Sequence, residues 1–307
     1  MNLIVGRRSG GHQAGSIDPD DWWPAPAKLN LFLHITGRRH DGYHELQSVF
    51  QLIDLCDELQ FDLHTAPGLT REVTGEGAGQ LNAEPAERDL ALRAAAALQQ
   101  LSGLSHGVHI RIRKRIPLGG GLGGGSSDAA TTLVVLNKLW ELGLNANELA
   151  AIGSKIGADV AVFVHGTSAW AEGVGEKLTS LALPQHWFLV VHPGVSVRTA
   201  EVFQAAELTR NSPLITIRGF FESGGRNDCE PVVRARVPAV AEALDWLSVH
   251  APARLTGTGS CIYAAFPTAA AAERVAARVP DEWKSFVACG LQHSPLLARV
   301  SARFTPV

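Results

Sequence analysis

Charge is scarce in this chain. Of its 307 residues, 19% are Asp, Glu, Lys or Arg and 46% are hydrophobic, against a charged share of roughly 25% in an average soluble protein. That composition disfavours a disordered chain. No sign of charge dominates either: 27 Lys and Arg against 30 Asp and Glu leave a formal net charge of −3. A dedicated nucleic-acid binder carries a basic excess or stripe. The best candidate stripe, Arg111 to Arg115, interleaves with Ile110, Ile112 and Ile116 and reads as one face of a strand. Cysteine is sparse too. Cys56, Cys229, Cys261 and Cys289 lie far apart with no C-x-x-C pair, which fits a reducing compartment better than a secreted disulfide scaffold. No apolar run approaches the ~18 residues of a membrane span. The first 21 residues hold only Leu3-Ile4-Val5 as an apolar patch, too short for a signal-peptide core. The expectations are a soluble cytoplasmic protein, no membrane or nucleic-acid partner, and a disordered extension over residues 1–21.

What is present is a chain long enough for two domains with sizeable cores. Alternation predicts strands over Lys28 to Ile35, Leu46 to Ile53, Leu59 to Leu63, Leu69 to Val73 and Val108 to Ile116. Glu87 to Leu101, Asp128 to Leu142 and Ala146 to Ile156 read as helices. Beyond Gly166 the pattern changes, with strands at Ser168 to Ala171 and Trp187 to His192. A helix over Cys229 to Val249 follows, then a strand, a helix and a strand at Ser260 to Phe266, Ala269 to Val279 and Ser285 to Cys289. The domain boundary falls between Gly166 and Pro184.

The densest glycine cluster follows the strand that ends at Pro117: six glycines in the seven positions from Gly119 to Gly125, then Ser126 and Ser127. So many glycines carry an entropic cost, and something must require unusual backbone angles or close approach of a ligand. A helix follows, and its free N–H groups and positive dipole end form a site for an anion such as phosphate. Ser126 and Ser127 are expected as caps and hydroxyl donors. A flexible linker is disfavoured because strand and helix flank the segment directly. No Lys follows the glycines, so this is not G-x-x-x-x-G-K-[ST]. Gly119, Gly121 and Gly124 do spell G-x-G-x-x-G. However, the dinucleotide fold needs a second strand ending in an acid about twenty residues on, and that region is helical.

Lys28 and Asn30 share one face of their strand, opposite the leucines. One reading makes Lys28 a solvated edge residue, the ordinary fate of lysine. The other pairs it with Asp159, a polar point in an apolar stretch, whose own plain reading is a structural cap or ion pair. Phosphoryl transfer needs phosphate donors, a metal and an acceptor for the hydroxyl proton, and the two residues beside the glycine loop would supply that acceptor and a neutralising charge. His40 and His44 flank Gly42, which argues for a loop and against a helical metal pair.

Three separated segments, Pro26 to Phe32, Pro117 to Ala130 and Leu255 to Ser260, resemble the three motifs of the GHMP kinases (galactokinase, homoserine kinase, mevalonate kinase and phosphomevalonate kinase). Lys28 to Leu33, Asp41 to Ser48, Gly157 to Val160, Ala171 to Glu176, His192 to Gly194 and Asn227 to Glu230 further resemble one branch of that superfamily. Its substrate is a cytidyl diphosphate sugar alcohol of non-mevalonate isoprenoid synthesis. The resemblance spans Trp23 to Leu297. It implies an α+β, two-domain GHMP kinase fold with the active site in the cleft between domains, drawn here at 22–175 and 176–307. It also implies ATP; Mg2+ is the chemical expectation for a triphosphate, with no residue named as its ligand.

Residue by residue, the resemblance makes Asp159 the catalytic base and Lys28 the partner that orients it and stabilises developing phosphate charge. It makes Pro117, Leu118, Gly119, Gly120, Gly121, Leu122, Gly123, Gly124, Gly125, Ser126 and Ser127 the triphosphate loop. Tyr43 and Phe203 become the aromatic pair around cytosine, His44 a hydrogen-bonding partner of the base edge, and Asn30 a contact near the reacting end. The turn Gly257 to Ser260 lines the same cleft. Two features depart: the residues before Trp22 have no counterpart and are assigned no function, and the family usually has Asn where this chain has Asp128, where a carboxylate must face away from the nucleotide or find a donor. The alternatives are another GHMP kinase acting on a mevalonate derivative or homoserine, a non-catalytic ligand-binding protein on the same fold, and an RNA-binding module.

Overall fold

The computed structural model describes residues 21–40 and 42–304. The expected extension therefore lies outside the described residues except for Asp21, and so does Asp41. Asp21 is tied down, with carboxylate oxygens 3.5 Å from Arg299 and 3.3 Å from Arg303.

Two long antiparallel strands, β1 (Trp23–Arg38) and β2 (His44–His64), form the spine, from Trp23 opposite Leu59 to Arg38 opposite His44. The two stretches expected around Leu46 to Ile53 and Leu59 to Leu63 are thus one strand. Most of β1 is buried on both faces, so the alternation that sets Lys28 and Asn30 against the leucines does not separate water from core. Strand β3 (Leu69–Gly75) runs parallel to β4 (Gly107–Lys114), and β4 pairs antiparallel with β2. Between β3 and β4 lie α1 (Ala78–Ala83), a 3-10 turn at Ala86–Arg88 and α2 (Leu90–Ser102). Asp89 caps α2 by accepting the Leu92 N–H.

After the glycine loop come α3 (Gly124–Leu139), α4 (Ala146–Gly153) and α5 (Val160–His165). Helix α3 is buried all round from Ser127 to Asn137, which is why its sequence shows no polar face. Leu133, Val135 and Leu136 pack with Ala94 and Leu98 of α2 and Val160 of α5, against Phe50, Leu59 and Phe61 of β2. Strand β5 (Ala169–Glu172) pairs with β2 and with β6 (Lys177–Ser180). The domain division drawn at 175/176 falls in the turn of that hairpin.

The second half contributes β7 (Trp187–His192), then α6 (Thr199–Gln204), α7 (Ile217–Ser223), α8 (Glu230–Arg236) and α9 (Pro238–Ser248). The single helix expected over Cys229 to Val249 is broken because Pro238 lacks an N–H and clashes within a helix interior; it sits instead at the first position of α9. Strands β8 (Ala253–Leu255) and β9 (Ile262–Phe266), helix α10 (Ala269–Ala276), strand β10 (Lys284–Leu291) and helix α11 (Pro295–Phe304) complete the chain. A second core joins Leu189, Val191, Ile262 and Ala264 to Val240, Leu244 and Leu247 of α9. Strand β10 links the halves: it pairs with β7 along its length and with β2 at Gly290 opposite Ile53, giving the sheet order β3-β4-β2-β10-β7-β9-β8. Among the described residues no helix is long and apolar enough to cross a membrane.

Candidate active site

The loop between β4 and α3 adopts the backbone its glycines permit. Gly121 and Gly123 both have φ of +76°, a region that L side chains rarely enter. A Cβ at Gly121 would lie 2.2 Å from the Thr256 carbonyl oxygen, and one at Gly123 would lie 2.9 Å from the Phe163 ring. Close packing of distant segments therefore demands glycine at these two positions. The helix cap differs from expectation. Gly123 is the N-cap of α3 with no side-chain cap bond, and Ser126 and Ser127 already lie in the first turn. The Ser127 N–H donates to the Gly123 carbonyl at 2.9 Å, while the N–H groups ahead of it have no carbonyl one turn back and remain for a ligand.

Two segments stitch the loop into place. Lys28 N–H donates to Leu122 O at 3.0 Å, and Ser260 and Cys261 N–H groups donate to Gly119 O and Gly120 O, both at 3.1 Å. The three motif-like stretches are thus one structural unit, formed by the start of β1, the loop and the turn between β8 and β9.

The Lys28 side chain is 4% exposed, which rules out the solvated-edge reading. Its Nζ donates to Asn30 Oδ1 at 2.5 Å and to Gly121 O at 3.0 Å, lies 3.4 Å from Asp159 Oδ2, and stands over the Phe50 ring. A buried ammonium needs such partners. Asp159 occupies the N-cap position of α5 without making a side-chain cap bond. Its carboxylate is 31% exposed, held toward Lys28 and open to the cleft. Both ends of the Asn30 amide bond the chain: Oδ1 accepts from Lys28, and Nδ2 donates one N–H to Ser48 Oγ at 2.8 Å.

Around this pair opens a cleft of about 950 Å³. Its lining includes Lys28, Asn30, Tyr43, His44, Asp159, Phe203, Gly257, Thr258 and every loop residue from Pro117 to Ser126. Ser127 does not line it; that side chain is buried, with no hydrogen-bond partner for its hydroxyl among the described residues. At the far end of the cleft the His44 ring stacks on Phe203, with centroids 5.1 Å apart and planes at 26°. Tyr43 is 63% exposed at the mouth. The expected pair of Tyr43 and Phe203 thus shares the cleft, but in this structure Phe203 carries the imidazole on its face.

One constellation beside the loop was invisible in the sequence. Lys114 Nζ lies 2.5 Å from Asp57 Oδ2 and 2.6 Å from Asp128 Oδ2, with all three side chains buried. Asp57 Oδ1 also accepts the N–H groups of Arg115 and Ile116, at 2.6 and 2.9 Å. Asp128 thereby finds the donor its position demands. Burial pushes the Asp128 carboxyl up to about 7, against the pull of Lys114 and helped by the Asp57 charge. Burial would lower the Lys114 ammonium, but the Asp128 and Asp57 carboxylates outweigh it and hold its pKa above the ordinary value. The Arg111 to Arg115 stripe hid Lys114 by alternation, while its outer members are neutralised on β2: Arg111 pairs with Asp62 at 2.6 Å and Arg113 with Glu58 at 3.8 Å.

Comparison with known proteins shows the family. Residues 89–167 match the GHMP kinases N terminal domain, and residues 205–285 match the GHMP kinases C terminal family. The chain is 55% identical over 275 residues to the 4-diphosphocytidyl-2-C-methyl-D-erythritol kinase of Nitrosococcus oceani, covering 90% of this chain and 96% of that one. To the kinase of the same name from Alkalilimnicola ehrlichii it is 55% identical over 278 residues, covering 91% and 94%. A crystal structure of 4-(cytidine 5'-diphospho)-2C-methyl-D-erythritol kinase superimposes with a TM-score of 0.75 at 31% identity, covering 88% of this chain and 98% of that one. At 55% identity, matched along nine-tenths of its length, the protein belongs to the GHMP kinase family, among the 4-diphosphocytidyl-2-C-methyl-D-erythritol kinases.

Proposed function

We propose that the protein transfers the γ-phosphate of ATP to the 2-hydroxyl of 4-diphosphocytidyl-2-C-methyl-D-erythritol, giving ADP and the 2-phosphate in non-mevalonate isoprenoid synthesis. The observation that carries this reading is the Lys28–Asp159 pair, 3.4 Å apart and open to the cleft directly below the glycine loop. The hydroxyl oxygen forms the new bond to the γ-phosphorus as the bond from that phosphorus to the β,γ-bridging oxygen breaks. ADP leaves with that electron pair, and the hydroxyl proton passes to the Asp159 carboxylate. Lys28 orients that carboxylate and neutralises charge growing on the phosphoryl oxygens, while Asn30 holds the ammonium. The segment Pro117 to Ser127 carries the triphosphate loop, and its cleft-lining part, Leu118 to Ser126, grips through backbone N–H groups. Tyr43, His44 and Phe203 receive the cytosine.

No group of three His, Cys, Asp or Glu able to hold a metal gathers among the described residues. An Mg2+ ion in this cleft would therefore take most of its oxygens from phosphates and water, with the Ser126 hydroxyl as its ligand from the chain. Bound there, it screens the triphosphate charge. The division into 22–175 and 176–307, with ATP and substrate in the cleft between them, and a cytoplasmic location belong to the same reading. The location is supported by the four cysteines, all free thiols.

A coupled ADP-release assay tests the proposal on three alcohols: the cytidyl erythritol substrate, mevalonate and homoserine. Turnover with the first and background rates with the others is expected. Turnover only with mevalonate or homoserine overturns the substrate assignment.

A further inference from the structure

Behind the cleft, out of its lining, lies Arg210, whose guanidinium reaches two of the three residues expected at the base, His44 and Phe203. Its Nε donates to His44 Nε2 at 3.2 Å. Its Nη2 donates to the carbonyls of Phe203 and Ala205 at 3.0 and 2.7 Å, and its Nη1 to that of Leu208 at 3.1 Å. One side chain therefore fixes the backbone of Phe203 and, against the Phe203 ring, the imidazole stacked on it.

The chemistry of that contact has one solution. Guanidinium nitrogens only donate and are not deprotonated in proteins, so His44 Nε2 must accept. A neutral imidazole accepting at Nε2 carries its proton at Nδ1. Among the described residues nothing bonds His44 Nδ1. Burial of the ring, with the charges of Arg210 and Arg38 facing it, holds the His44 pKa below its ordinary value and keeps the ring neutral.

We infer that Arg210 is a positioning residue for base recognition: it locks His44 as the Nδ1–H tautomer, so that the cleft presents a fixed N–H donor to an acceptor on the cytosine edge, N3 or O2. This rests on the cytidyl reading above and adds to it the residue that sets the donor. An imidazole free to choose its tautomer would offer that edge a lone pair part of the time.

The test begins with the native protein. Long-range proton–nitrogen correlation on 15N-histidine-labelled enzyme is expected to show His44 protonated at Nδ1; protonation at Nε2 overturns the inference. The Arg210→Met variant follows. It is expected to shift His44 toward the Nε2–H form and to raise KM for the cytidyl substrate about tenfold, the worth of one hydrogen bond. Its kcat and its KM for ATP should stay within about twofold. An unshifted tautomer, an unchanged substrate KM, or equal damage to kcat and the ATP KM each reduces Arg210 to a structural brace and overturns the inference. In Arg210→Lys, which keeps the cation and a donor, partial return of the substrate KM toward the native value is expected, and no return counts against the assignment. Competition by CDP separates the two claims. If CDP fails to compete in the native enzyme, the cytidyl reading falls, while the nitrogen spectrum still decides whether Arg210 sets the His44 tautomer.

Discussion

The Lys28 ammonium stands 3.4 Å from the Asp159 carboxylate and 2.5 Å from the Asn30 amide oxygen, so the cation is held from the strand side while the acid faces the cleft. That asymmetry suits a base that must receive a proton from a bound hydroxyl. In Asp159→Asn the acceptor is lost but the loop is untouched. Turnover is expected to fall about 10²–10⁴-fold, the range for a general base, with ATP affinity by calorimetry unchanged within about threefold. Near-native turnover would remove Asp159 from the chemistry.

The loop tolerates no side chain at Gly121. Gly121→Ala would place a methyl 2.2 Å from the Thr256 carbonyl at a φ of +76°, combining left-handed strain with a clash against backbone. We expect a rise in KM for ATP of at least about tenfold and a loss of about 2–4 kcal/mol in denaturant unfolding. A variant matching the native enzyme in both would show that loop position and nucleotide grip are independent.

At the other end of the cleft, Phe203→Ala removes the face on which His44 now rests. Base stacking is worth about 1–3 kcal/mol per base, so KM for the cytidyl substrate should rise roughly 5- to 150-fold with KM for ATP unmoved. Steady-state kinetics in each substrate reads this directly, and equal damage to both constants would mean a packing defect.

Asp128 makes stability depend on pH with a definite sign. Its folded-state pKa is raised from 3.8 to about 7, so the folded chain binds more protons than the unfolded one across that window. Stability therefore falls as pH rises through it and stays lowered above. Asp128→Asn lacks this slope. Its thermal midpoint should exceed that of the native chain by a few degrees at pH 8, with the gap closing toward pH 5. A gap that stays constant with pH would show that Asp128 ionises without penalty.

Much of the site was legible because the signals that place it are local. The glycine run between a strand and a helix announces a phosphate grip, and Lys28, Asp159 and the Leu255 to Ser260 turn are recognisable by kinship. What was not legible is non-local. The alternation around Lys28 assumes a strand with one wet face, whereas β1 is covered on both. Ser126 and Ser127 look like caps only until the left-handed Gly123 takes that role. Lys114 sits at the inward step of an arginine stripe, and its partner Asp57 lies on another strand; nothing short of the β2–β4 register brings them together. Asp128 was the one available clue, a carboxylate in need of a donor. Arg210 gave no clue at all, because its importance lies in which nitrogen of His44 it touches.

The amide groups of Ser260 and Cys261 hold the carbonyls of Gly119 and Gly120. The glycine loop is therefore held jointly: the matched N-terminal segment supplies it, while residues downstream of β8 bond its carbonyls. A polypeptide ending before β7 would carry the whole glycine signature and yet lack the two backbone bonds that Ser260 and Cys261 make to it.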